Sequence, residues 1–175
     1  MHCVSLFHTM GKFQGPLEEP RKHWLRDRPP VSRTCDGICM KKPPSWYVQS
    51  AALPLWEDQG ETHIVLVTSC SSKRWIIPKG IVEPEMTSAD SAAKEAWEEA
   101  GVRGSIEPQP VGTYQYEKWG GICTVAVHIL NVTEILPEWP EGHVRERAFV
   151  SFHEAIARVR EPELKNIIER CFETI

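Results

Sequence analysis

The sequence predicts an α/β protein, a mixed β-sheet covered on both faces by helices. Three observations carry that expectation. Short runs rich in β-branched and aromatic residues are interleaved with helical segments, one early and two late. The helical segments carry start signals of their own. A chain of 175 residues, 41% hydrophobic and 25% charged, has the length and composition of one domain with a real core.

Residues 1–44 hold Gly15-Pro16, Pro20, Pro29-Pro30 and Pro43-Pro44 among mixed charges, with no sustained period of 2 or 3.6. They predict a poorly ordered N-terminal extension ahead of a domain at 45–175. A second reading starts the physiological chain at Met40, directly before the first strand. The extension is basic, eight Lys or Arg against four Asp or Glu, and the remainder is acidic, twelve against twenty. A solvated tail or a polyanion contact fits the first part. An acidic body argues against general nucleic-acid binding.

The six cysteines, Cys3, Cys35, Cys39, Cys70, Cys123 and Cys171, are scattered, which argues against a disulfide framework. Cys35-x3-Cys39 is poorly spaced for zinc. No apolar run reaches the 18 or so residues of a membrane span, and the opening residues do not read as a signal peptide. The expected location is the cytoplasm.

In chain order, Trp46 to Trp56 and His63 to Ser69 read as strands joined by a turn at Glu57-Asp58-Gln59-Gly60, the second strand buried on both faces. Trp75-Ile76-Ile77 is a short strand. Val111 to Glu117 and Ile122 to Val132 form a hairpin around Lys118-Trp119-Gly120-Gly121. Residues 138–143 are a loop and Arg147 to Val150 a strand. Ser151-x-x-Glu154 opens a helix through Arg160, and Pro162 opens the last one, to about Glu173.

The stretch the chain is organised around is Gly80 to Val102. Thr87 and Asp90 form a capping-box-like start, good helix formers follow, and Gly101 is placed to end the helix in a left-handed conformation. At about 100° per residue, Glu95, Glu98 and Glu99 share one arc, and Ala89, Ala93, Ala96, Trp97 and Ala100 share the nearly opposite one. Like charges so close repel, and a divalent cation bound by carboxylate oxygens reverses the penalty. A solvated acidic face is the plainer alternative.

Gly80, Lys94-Glu95-Ala96, Glu98-Glu99 and Gly101-Val102 resemble the Nudix box in residue type and spacing. Two positions depart from it. Met86 stands where the box has its first Glu, and Lys94 replaces its Arg. The likeness continues through Arg74-Trp75-Ile76-Ile77-Pro78, Glu83-Pro84-Glu85 and Val132-Thr133-Glu134-Ile135-Leu136, which resemble the branch containing diphosphoinositol polyphosphate and dinucleoside polyphosphate phosphohydrolases.

The resemblance implies a Nudix-type α/β/α sandwich around a mixed sheet, and hydrolysis of a diphosphate linkage in a nucleoside diphosphate derivative with Mg²⁺ or Mn²⁺. It implies metal ligation by Glu95, Glu98, Glu99 and the Gly80 carbonyl, with one glutamate helping to deprotonate the attacking water. Glu138 and Glu141 are candidates for a further acidic ligand, with a solvent-facing role as the alternative. Glu83 and Glu85 offer carboxylates near the one missing at Met86. Lys94 keeps the charge of Arg without its bidentate fork.

Family members that take inositol pyrophosphates have basic clusters where this chain reads Val48-Gln49-Ser50-Ala51 and Glu117-Lys118-Trp119-Gly120. That difference favours a dinucleoside polyphosphate or ADP-ribose-like substrate. An inositol pyrophosphate hydrolase and a catalytically weak nucleotide-binding module are the alternatives. Arg74, Lys79, Lys118, Trp119 and Arg145 are the candidate substrate contacts, with Lys73 and Arg147 as further cations and Tyr114 and Tyr116 as further stacking groups.

Overall fold

The computed structural model describes residues 42–174. The expected extension lies outside the described residues except for Lys42 to Pro44, and so do Cys35, Cys39 and Met40. Cys70, Cys123 and Cys171 are free thiols.

Pro44 opens a single 3-10 turn, Pro44–Tyr47, which leads into β1, Val48–Asp58. There follow β2 (Glu61–Thr68), β3 (Trp75–Ile76), β4 (Lys79–Ile81), α1 (Ser88–Ala100), β5 (Val102–Ile106), β6 (Gly112–Lys118), β7 (Gly121–Ile135), β8 (Arg147–Val150), α2 (Phe152–Arg158) and α3 (Pro162–Thr174). The eight strands form one sheet with the path β3-β2-β1-β7-β5, and β4, β6 and β8 pair with β1, β7 and β2. β1 and β7 run parallel, from Val48 opposite Thr124 to Leu55 opposite Asn131. The remaining pairs are antiparallel, so the sheet is mixed as expected.

Alternate residues feed opposite faces. Leu53, Ile64, Leu66, Val125 and Val127 pack with Leu164, Ile167 and Ile168 on the side of α2 and α3. Ala52, Val65, Val67, Leu130 and Val132 pack with Ala92, Ala96 and Ala100 of α1 on the other. This double coverage explains the unbroken apolar run in β2.

Several boundaries differ from the sequence reading. Trp46 belongs to the 3-10 turn because Pro44, at its start, favours a tight helical bend over a ladder. The first hairpin tightens to Gln59-Gly60, both at positive φ. β7 extends to Ile135 because β5 pairs along its second half. β4 and β5 were not expected at all: each is short, contains a glycine, and exists through its partner strand. α2 ends at Arg158, where Val159 turns extended and its side chain enters the core.

Candidate functional site

α1 is fixed at both ends by its own sequence. The Thr87 hydroxyl accepts from the Asp90 N–H at 3.1 Å and donates to the Asp90 carboxylate at 2.7 Å. Only half of a capping box forms, since the carboxylate returns to the hydroxyl and not to the Thr87 backbone. Ser88 Oγ lies 3.0 Å from Nε2 of the buried His128, whose Nδ1 reaches the Glu107 carbonyl at 2.9 Å. Gly101, at φ 62, closes the helix in the left-handed conformation expected of it.

The helix is turned from the expected packing face. Ala92 is in the core, Ala93 and Trp97 are only half-buried, and Glu98 and Glu99 are buried. The cause is a segment about forty residues downstream that folds over the C-terminal end of α1. Trp139 Nε1 donates to the Glu99 carbonyl at 3.0 Å and the Glu141 N–H to the Glu98 carbonyl at 3.1 Å. Arg147 donates to the Ala100 carbonyl at 2.7 Å and lies over the Trp139 ring. A cation and N–H donors at these orphan carbonyls complement the helix dipole.

Each carboxylate has a distinct setting. Glu95 lies against the Cα of Gly80, so a Cβ at that position would overlap its carboxylate. Glu98 pairs with Lys94 at 3.1 Å, and Lys94 also reaches Glu83 at 2.8 Å. The carboxylate missing at Met86 is thus matched by one three residues earlier. Glu99 accepts from the Lys79 N–H at 3.1 Å and from the Arg145 guanidinium. Arg145 donates further to Glu141 at 2.6 Å and to the Thr68 carbonyl at 2.8 Å.

Burial, then the charges of Glu98 and Glu141, outweigh Lys94 and Arg145 and push the Glu95 carboxyl up to about 7. Burial, with the charges of Glu95 and Glu141, pushes Glu99 up to about 8 despite the opposing Arg145. The cluster is short of positive charge.

On the opposite face of the sheet Lys79 donates from Nζ to the Tyr116 hydroxyl at 2.8 Å, and Tyr116 donates to Gln49 at 2.7 Å. Burial and the neighbouring Lys118 bring Lys79 down to about 8.

A NUDIX domain profile matches residues 46–171. The chain belongs to the NUDIX family. It is 33% identical over 117 residues to Nudix hydrolase 16, mitochondrial, of Arabidopsis thaliana, covering 62% of this chain and 64% of the relative. It is 30% identical over 135 residues to diphosphoinositol polyphosphate phosphohydrolase 3-alpha of Mus musculus, covering 75% and 77%. The chain spans less than two thirds of the length of the Arabidopsis relatives it matches. Among solved structures it resembles a C. elegans Ap4A hydrolase binary complex, with TM-score 0.58, 19% identity, and coverage of 73% of this chain and 96% of that one. It also resembles the NUDIX domain of Shewanella oneidensis NrtR complexed with ADP ribose, with TM-score 0.59, 12% identity, and coverage of 73% and 86%.

In this NUDIX domain Glu95 lies against Gly80, Glu98 faces Lys94, and Glu99 and Glu141 share Arg145, whereas Glu138 is exposed on the loop. Arg145 is held inside the carboxylate network and is not free to meet a ligand. Arg147 is spent on helix carbonyls and Lys73 on the Val144 carbonyl at 2.6 Å. Tyr114 is buried in the core and offers no open face for stacking. Arg74 faces Glu161 at 3.7 Å. Lys118 and Trp119 stand at the β6–β7 tip.

Sequence reasoning missed Gln49 and Trp139. The signal for Gln49 was a lone polar side chain in an apolar strand. For Trp139 there was none, because its partner is a main-chain carbonyl on a distant element.

Proposed function

We propose that this protein hydrolyses a diphosphate linkage in a nucleoside diphosphate derivative, a dinucleoside polyphosphate or an ADP-ribose-like compound, with Mg²⁺ or Mn²⁺ as cofactor. The observation that carries the reading is that Glu95 lies against Gly80 while Glu99, held by the neighbouring Lys79 N–H, shares Arg145 with Glu141. The Ap4A hydrolase and the ADP-ribose complex among the similar structures support the substrate class.

The residues fit a hard cation. The donors are all oxygens, and the Ser50 hydroxyl, opposite Gly80 in the strand register, is buried with no hydrogen-bond partner among the described residues. Burial pushes the Glu95 and Glu99 carboxyls well above the ordinary carboxylate range, so a cation bound there would compete with protons. Among the described residues no three Asp, Glu, His or Cys side chains are grouped closely enough, as they stand, to hold a metal ion. Glu98 and Glu99 are held by Lys94 and Arg145, and those partners would have to be exchanged on loading.

The cation, when bound, neutralises diphosphate oxygens and acidifies water. The Gly80 carbonyl, Glu95, Glu98 and Glu99 would hold it, with Glu141 beside them. Glu95 has no ion pair among the described residues and is the group to take the proton from the attacking water. Arg145 keeps Glu99 and Glu141 in place. The Lys79 main-chain N–H keeps Glu99 oriented from the strand side.

The test is release of phosphate or nucleotide from a panel of diphosphate substrates with Mg²⁺ and Mn²⁺, using Glu98→Gln with Glu99→Gln as the blank. Wild type indistinguishable from the blank on every substrate removes the enzyme reading and leaves a binding module. The mammalian relatives named as diphosphoinositol polyphosphate phosphohydrolases favour a second reading, an inositol pyrophosphate substrate, and cleavage of those compounds alone would establish it. The cytoplasm belongs to the proposal as its location, and recovery of tagged protein with mitochondria would overturn it.

A further inference from the structure

Ser50 stands on β1 directly before Ala51 and Ala52, and all three are fully buried. Its hydroxyl has no hydrogen-bond partner among the described residues. A buried hydroxyl left unpaired costs stability that an alanine in the same place would not. Main-chain acceptors are not at hand, because β1 is laddered on both sides, to β4 through Gly80 and to β7 through Ala126.

The direction of the hydroxyl follows from the pleat. Side chains alternate along a strand. Ala51 and Leu53 pack on the side of α2 and α3, and Ala52 packs on the side of α1, so Ser50 faces α1 as well. Residues directly opposite on an antiparallel ladder project to one face, with Cβ positions about 4.5–5.5 Å apart. Gly80 is opposite Ser50, and the Glu95 carboxylate fills the place a Gly80 Cβ would take. The Ser50 hydroxyl and the Glu95 carboxylate are therefore neighbours across a glycine, with only the Ala126 methyl on the other flank.

The other carboxylates of the site each have a holder. Glu98 has Lys94, Glu99 has the Lys79 N–H and Arg145, and Glu141 has Arg145. The hydroxyls that α1 itself offers are taken, Ser88 by His128 and Ser91 by the Glu83 N–H at 3.0 Å. Glu95 has no hydrogen bond or ion pair among the described residues. One carboxylate lacks a holder, one buried hydroxyl lacks an acceptor, and the two are adjacent.

We propose that Ser50 is the positioning residue of Glu95, its hydroxyl donating to the Glu95 carboxylate when that group bears on a divalent cation. Carboxylates that ligate a metal are themselves hydrogen-bonded, and losing such a partner weakens metal binding about 10–100-fold. The hydroxyl is thus a cost in the cation-free protein and a gain in the loaded one. The inference rests on the metal-dependent reading of the site, and its binding step can be measured without catalysis.

The experiment titrates Mn²⁺ alone into wild type, Ser50→Ala, Glu95→Gln and the double variant by calorimetry, with thermal midpoints taken in chelator. Ser50→Ala removes an unpaired buried hydroxyl, so its cation-free midpoint holds or rises. Its Mn²⁺ affinity falls about tenfold. In the Glu95→Gln background the same substitution changes nothing further, because the hydroxyl acts through that carboxylate. A lower midpoint marks the hydroxyl as structural and overturns the assignment. An unchanged Mn²⁺ affinity, an equal loss in both backgrounds, or no Mn²⁺ binding by wild type would each overturn it too. Diphosphate hydrolysis by wild type, with Mn²⁺ bound equally by Ser50→Ala, defeats the assignment and leaves the enzyme reading standing. Wild type inert on every substrate, with the Mn²⁺ difference intact, does the reverse.

Discussion

Replacing Arg145 by Met keeps most of its bulk and removes its charge from the carboxylate cluster. The guanidinium holds Glu99, Glu141 and the Thr68 carbonyl, and its side chain is only 8% exposed, so solvent screens little of what is lost. Removing one partner of such a buried set costs about 3–5 kcal/mol, because the remaining carboxylates are left close together without compensation. At roughly 2–4 °C per kcal/mol for a chain of this size, the thermal midpoint should fall by about 10 °C in the absence of divalent cations. A divalent cation supplies the missing positive charge, so saturating Mg²⁺ or Mn²⁺ should narrow the gap between variant and wild type by about half. Thermal unfolding followed by circular dichroism, with chelator and with each cation, reads both effects. A fall of under about 2 °C, or an equal gap with and without cations, would refute the placement of Arg145 as the counter-charge of the site.

Glu95 and Glu99 ionise at about 7 and about 8 against an ordinary 4.5, so between about pH 5 and 8 the folded state binds more protons than the unfolded one. Cation-free stability should therefore decline as pH rises through that window, and a midpoint that climbs instead would contradict the crowding of these carboxylates. Met86→Glu adds a carboxylate near the Lys94 pair and should raise turnover or shift the metal optimum; no change in either shows that the position is idle. Trp139→Phe removes the bond to the Glu99 carbonyl and should lower stability by about 1 kcal/mol in denaturant unfolding, with an unchanged midpoint marking the bond as dispensable. Tyr116→Phe releases the Lys79 ammonium from the hydroxyl it bonds and should raise KM several-fold with kcat nearly unchanged, whereas an equal loss in kcat would place Tyr116 in the chemical step.

Features held by nearest-neighbour chemistry were legible in advance. Thr87 and Gly101 mark the ends of α1 because a capping hydroxyl and a left-handed residue act within one turn of the helix. The glutamate spacing was likewise readable, since it is a property of one helix. The burial of Glu98 and Glu99 was not. It depends on Trp139, Glu141 and Arg147 arriving from another part of the chain. Arg145 illustrates the same limit: sequence shows a cation near acidic residues, and only geometry shows that the acidic residues already hold it. β4 and β5 were missed because a strand of three to five residues with a glycine has little intrinsic preference and is decided by its partner.

The parallel pairing of β1 with β7 sets the order in which all this can assemble. Val48 meets Thr124, so the pairing closes a loop that contains Lys79, Gly80, α1, Tyr116 and Trp119. Such a long-range contact forms late, after a large entropic cost, and slows folding relative to a fold of local contacts. During synthesis α1 is finished well before the strand that flanks its sheet on the far side. Until β7 docks, the apolar side of α1 has only part of its floor, and the five alanines and three glutamates of the helix have fewer partners to pack against.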